Sequence, residues 1–240
     1  MASFRIVPVH DDRIEQETIQ NRVQESSALS GSKPREGALP QTLNSYDRGI
    51  HYFKYGHEEK ETVVDLEGNE QEIVRPERNP IIFLGNGYVA IDAWCSADVE
   101  DDILGLIAAI LDRKVHYETV EFDEETLRRV IQEADRVEQA DFDPETSGKP
   151  EKVSGKHKSG LTRTEMWDAY HSDPLEAVRV SLPGKDVEMN VGFKENGIIT
   201  IHGQDIPGHV SGAVLRYITD EVVSNLAQDS YQQKLGGAGP

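Results

Sequence analysis

NVGFKENGIITIHG, residues 190–203, decides how this chain is read. Earlier the chain reads PIIFLGNGYVAIDA, residues 80–93. An offset of 110 aligns the two, placing Phe193 on Phe83, Asn196 on Asn86, Gly197 on Gly87, Ile199 on Val89 and Ile201 on Ile91. Each stretch has the pattern of two alternating strands around a turn of Gly and Asn, residues that tolerate the positive φ of tight turns. Alternation predicts that Val89 and Ile91, like Ile199 and Ile201, share one face. Tyr88, Ala90 and Asp92, like Ile198, Thr200 and His202, share the other.

Working outward, each hairpin is followed by a helix. SADVEDDILGLIAAILDR has Ser96 as its cap, acids in its first turn and an apolar face of Val99, Ile103, Leu106, Ile107 and Ile110. IPGHVSGAVLRYITDEVVSNL is its counterpart, with Val214, Tyr217 and Ile218 falling on Leu104, Ile107 and Ala108. Each half also starts alike. FRIVPVHDD is a strand, and Asp11 or Asp12 caps the helix DRIEQETIQNRVQESSAL. VHYETVEF precedes the helical DEETLRRVIQEADRV, at an offset of 113. The Gly/Pro/Ser-rich SGSKPREGALPQTLNS (30–45) reads as loop, and a loop with SGKP (147–150) stands at the matching place of the second half. GIHYFKYG, ETVVDLEG and QEIVRP read as three strands, AVRVSL and DVEMNVGF as two more. TRTEMWDAYHS reads as a short helix with a Thr162–Glu165 capping box. The expected fold is α+β: a tandem duplication of strand, helix, antiparallel strands and helix, with the helices on one face of the sheet. The expected boundaries are 1–113 and 114–228 for the repeats and 229–240 for a flexible tail.

The last hairpin and helix, FKENGIITIHG…AVLRYITDEV, resemble the TATA-box-binding-protein fold, a duplicated saddle of the helix-grip kind. That resemblance implies a shared sheet with an open face. It implies no site residues here, because Asp92 and His202 stand where that family's DNA face carries valine, asparagine, threonine and phenylalanine.

Forty-four acids against 25 bases give a net charge of -19. The charge is spread evenly, net -10 over residues 1–113 and -9 over 114–240. Such a surface repels nucleic-acid phosphates at ordinary salt. The acid content is similar to that of halophilic archaeal proteins, and molar salt screens charge to about 3 Å, which readmits nucleic acid. One cysteine, Cys95, excludes an internal disulfide and fits a reducing cytoplasm. No apolar run approaches the roughly 20 residues of a membrane helix, and the start lacks a secretory pattern.

No cofactor fingerprint, catalytic triad or metal-ligand spacing stands out, so no cofactor and no metal are expected. SGKPEKVSGKHKSG departs from a phosphate loop: six residues separate Gly148 from Gly155, and His157 follows Lys156. It is nevertheless the one basic island, with Lys149, Lys152, Lys156, Lys158 and Arg163. Its 145–162 loop and the open sheet face, with Tyr88, Asp92, Thr200 and His202, are the candidate binding residues. The histidines at 51, 57, 116, 157, 171, 202 and 209 carry no recognisable spacing, and Asp168 with His171 reads as a surface pair. The favoured function is a non-enzymatic binding or assembly protein for a macromolecular partner, with homodimerisation through a sheet edge open. One alternative is a saddle-like nucleic-acid binder working at high salt. Another is a hydrolase or nuclease with a His/Asp site on the sheet face.

Overall fold

The computed structural model describes residues 2–9, 14–27, 35–113, 115, 120–144, 153–182, 189–203 and 208–223. In chain order these form β1 (Ala2–Pro8), α1 (Gln16–Glu25), β2 (Gly37–Tyr46), β3 (Ile50–Val64), β4 (Glu70–Phe83), β5 (Tyr88–Asp92), α2 (Ala97–Leu111) and α3 (Glu124–Glu133). Then come β6 (Arg136–Phe142), β7 (Val153–Lys156), α4 (Glu165–Tyr170), β8 (Leu175–Leu182), β9 (Met189–Lys194), β10 (Ile198–His202) and α5 (Gly208–Ile218). The fold is α+β, and the strands pair antiparallel.

The chain divides into two compact units that are not the expected halves. Unit 1 comprises Met1–Ile6, Thr119–Pro207 and Tyr217–Pro240; unit 2 comprises Val7–Glu118 and Gly208–Arg216. A cut at 113 therefore misplaces the first strand residues and most of α5. The expected tail at 229–240 lies outside the described residues.

In unit 2 the strand order is β2-β3-β4-β5. One face carries Phe53, Ile81, Phe83, Val89 and Ile91, packed on Ile19 and Val23 of α1 and Ile103, Ile107 and Ile110 of α2. Val89 and Ile91 thus point to helices, as alternation predicted. Ser96 caps α2 by accepting from the Val99 N–H. The α1 cap is Glu15, without a side-chain bond, while Asp11 and Asp12 lie outside the described residues.

The opposite face of unit 2 is not open. Ile50, Ile82 and Ala90 are buried there, and α5 lies against it: a Cβ at Gly212 would sit 2.6 Å from Ile50 Cγ2. Helices therefore cover both faces of this sheet, which corrects the one-sided arrangement. The physical signal was the unbroken apolar run Ile81–Leu84, the pattern of a strand buried on both sides.

Three expected short strands are two long ones. β3 and β4 pair without interruption from His51↔Phe83 to Val64↔Glu70. Pairing of β2 stops at Gly56 and that of β5 at Ile81. Beyond these points the two strands form an exposed ribbon. Its turn is built by Asp65, whose carboxylate accepts from the Glu67 and Asn69 N–H groups, both at 2.9 Å. β2 itself was expected as loop; Pro40 suits its edge position.

In unit 1 the order is β1-β10-β9-β8-β6-β7. One face carries Phe4, Ile199, Phe193, Val178 and Ala140, in register across the strands. α3 packs on it through Leu127 and Val130, with Phe122 edge-on to Phe193 at 5.6 Å. Asp123 caps α3 by accepting from the Thr126 N–H at 2.8 Å. α4 lies on the same face, with Trp167 edge-on to Phe142; its cap is Thr164, not Thr162. β6 and β7 fall where helix end and loop were expected. A bulge between Val137 and Gln139 breaks the period-2 pattern in β6.

The hairpins β4–β5 and β9–β10 share their register. Phe83↔Val89 and Ile81↔Ile91 correspond to Phe193↔Ile199 and Val191↔Ile201. Gly87 and Gly197 hold the same turn position, at φ 85 and φ 77.

Candidate functional site: the polar sheet face of unit 1

Among the described residues the second face of the unit 1 sheet is mostly polar, with Ile198 buried at one end. Strand register places Ser3, Thr200, Gly192, Arg179, Gln139 and Lys156 in one continuous row across six strands. A parallel row holds His202, Asn190, Ser181 and Arg136. Lys194, Ala177, Asp141 and Ser154 form a third. Arg5 occupies the same face of β1, opposite Ile198.

These side chains bond to one another. Ser3 Oγ and Thr200 Oγ1 are 2.9 Å apart. Glu138, on the bulge, lies 3.0 Å from Arg136 Nη2 and 3.1 Å from Arg179 Nε, and its side chain is 15% exposed. Asp141 accepts from Ser154 Oγ at 2.5 Å and from Gln139 Nε2 at 3.3 Å. The His202 ring lies over Gly192, where a Cβ would come within 3.2 Å of Nε2. Burial lowers the His202 pKa below its usual value; Arg179 adds to this, and Glu138 opposes it. His202 is therefore neutral at pH 7, a hydrogen-bonding group rather than a charge. Among the described residues the face holds Arg5, Arg136, Arg179, Lys156 and Lys194 against Glu138 and Asp141. A cationic sheet face in a chain of net charge -19 is a local reversal of sign.

The expected site residues separate. Thr200, His202 and Lys156 share this face. Lys158 and Arg163 are exposed beyond β7, in and after the turn that leads to Leu161. Lys149 and Lys152 lie outside the described residues, so the basic island is in part strand and in part undescribed. Tyr88 and Asp92 belong to unit 2. Asp92 accepts from Asn79 Nδ2 at 3.2 Å and from the Trp94 N–H at 3.0 Å, a structural role at the strand end. Its backbone carbonyl takes the Cys95 thiol at 3.1 Å. His171 donates from Nδ1 to the Trp167 carbonyl at 3.0 Å and stacks on that indole, so it serves α4 rather than Asp168. Sequence reasoning missed Ser3, Arg136, Glu138, Arg179, Asn190 and Lys194. Arg179, between Val178 and Val180 in a strand, was the legible signal.

Among the described residues no group of three or more His, Cys, Asp or Glu is placed to hold a metal ion. Among them too, no helix is long and apolar enough to cross a membrane. No protein-family model matches the chain, and no curated protein matches it significantly.

Proposed function

We propose that this is a binding protein that presents the polar face of unit 1 to an anionic macromolecular partner. The observation that carries the reading is the excess of cations on that face of a strongly acidic chain. Arg179 and Arg136 supply planar donors that suit carboxylate or phosphate oxygens. Ser3, Thr200, Asn190 and His202 supply neutral hydrogen bonds beside them. We further propose that the chain arose by duplication of a hairpin-and-helix unit. The matching registers of β4–β5 and β9–β10 support this, and the saddle-like layout follows as a proposal from it.

The test is fluorescence anisotropy with labelled heparin and labelled single- and double-stranded DNA, from low to multimolar salt. The protein is compared with Lys156→Ala/Lys194→Ala and with Thr200→Trp, which fills the centre of the face. Binding lost in both variants supports the reading. Binding untouched by both, or no binding of any polyanion at any salt, rejects it. Preference for DNA over heparin would make nucleic acid the partner.

A further inference from the structure

We propose that Ser45 and His51 form a nucleophile–base pair for acyl transfer in unit 2, acting on carboxylic esters. β2 and β3 reverse over a 3-10 turn, Asp47–Gly49, so Ser45 and His51 are directly opposite each other. His51 is 2% exposed. Its Nε2 lies 3.0 Å from the Ile14 carbonyl oxygen. A carbonyl only accepts, so Nε2 carries the proton. Nδ1 then offers its lone pair 2.9 Å from Ser45 Oγ, and the hydroxyl donates to it. That is the polarity a serine nucleophile needs: a base on the hydroxyl, and a group behind the base that fixes its tautomer.

Satisfying a buried imidazole explains the hydrogen bonds but not their setting. Ser45 is half-exposed and lines an open cavity of about 500 Å³. Glu15, Tyr46, Asp47 and Arg48 line it too. Arg48 holds the left-handed conformation at φ 63, ψ 21, uncommon for a residue with a side chain. Arg216 fixes that conformation by donating to the Arg48 carbonyl. Backbone held in a costly region beside an activated hydroxyl is the association expected at a reactive site.

In the first step Ser45 Oγ attacks the ester carbonyl carbon, and its proton passes to His51 Nδ1. The carbon–alkoxy bond then breaks, and the leaving alkoxide takes the proton from Nδ1, leaving acyl-Ser45. Water adds next, giving its proton to Nδ1. The bond to Ser45 breaks, Oγ recovers the proton, and the carboxylic acid leaves. The site lies in unit 2 and is independent of the binding face in unit 1, so either reading can fail without the other.

The test is labelling of the full chain with a fluorophosphonate probe, read by intact and peptide mass. Hydrolysis of p-nitrophenyl acetate is measured alongside. Expected are one addition at Ser45, none in Ser45→Ala, and labelling slowed roughly 100-fold or more in His51→Gln. Hydrolysis of the acetate ester should be lost in Ser45→Ala. His51 is buried, so His51→Gln risks the fold; Ser45→Cys is therefore measured too. Its new thiol should react with iodoacetamide at neutral pH well ahead of Cys95. No addition to the wild type, or equal addition in Ser45→Ala, together with a new thiol in Ser45→Cys that reacts no faster than Cys95, overturns the proposal.

Discussion

At the scale of single residues, the polar face of unit 1 balances charge against burial. Glu138 neutralises two guanidinium groups from a largely buried position. Glu138→Gln leaves Arg136 and Arg179 without that counter-charge. Urea unfolding should show a loss of about 1–3 kcal/mol, while heparin affinity rises because the face gains positive charge. His202 supplies a pH signature. Its folded pKa is lowered by burial, then by Arg179. Between that value and the ordinary pKa of about 6.5, the unfolded chain binds the proton and the folded chain does not. Stability therefore rises with pH through that window and falls on acidification. His202→Asn should flatten the slope in urea unfolding below pH 6.5; an unchanged slope would assign the effect to other groups. Gly197 is constrained differently. At φ 77, and with the Val120 carbonyl oxygen where a Cβ would go, it has no tolerated substitute, and Gly197→Ala should cost more than the usual penalty for positive φ.

At the scale of elements, the sequence made the hairpins legible because strict alternation and a Gly-Asn turn are local signals. The helix α2 was legible through Ser96 and its apolar spacing, and α3 through the offset of 113 that aligns it with the first helix. Three features were hidden. β6 is hidden by its bulge, and β2 by the Pro, Gly and Ser content that also marks loops. The long β3–β4 ribbon is hidden because its outer half faces water on both sides and carries no core pattern; Leu66, Val64 and Val74 are exposed there. The polar face was half legible: Thr200 and His202 were placed by alternation, but Ser3 and Arg179 join them only through pairings remote in sequence. An outer ribbon without a core contributes little to stability. Replacing residues 58–76 with Asn-Gly closes the directly opposed pair His57↔Glu77 by a two-residue turn. The melting temperature should stay within about 2–4 °C, near 1 kcal/mol for a chain of this size. A collapse of the transition would give the ribbon a structural duty. The α2 cap is a further local test, since Ser96→Ala should cost about 1 kcal/mol in urea unfolding.

At the scale of the whole molecule, a net charge of -19 dominates behaviour in dilute buffer. Self-repulsion destabilises a compact state, and the Debye length falls from about 10 Å at 0.1 M salt to about 3 Å at 1 M. The melting temperature should therefore climb with potassium chloride well past physiological strength, measured by calorimetry; a flat response would mean that the acids are already compensated in the fold. The division of the chain has its own consequence for biosynthesis. Ser3 pairs with Thr200, 197 positions later, and the sheet face around Ile50 and Ile82 receives a segment that begins at Gly208. Neither unit is complete until the chain beyond residue 200 has been made. At roughly 5–20 residues per second, the first strand emerges and waits on the order of 10–40 seconds for its neighbour. During that wait an apolar strand and a bare β-sheet face stand open beside the ribosome. An early stop codon anywhere before residue 208 thus releases two unfinished units rather than one finished half, and chaperone engagement of the nascent chain should persist until the segment that begins at Gly208 has emerged.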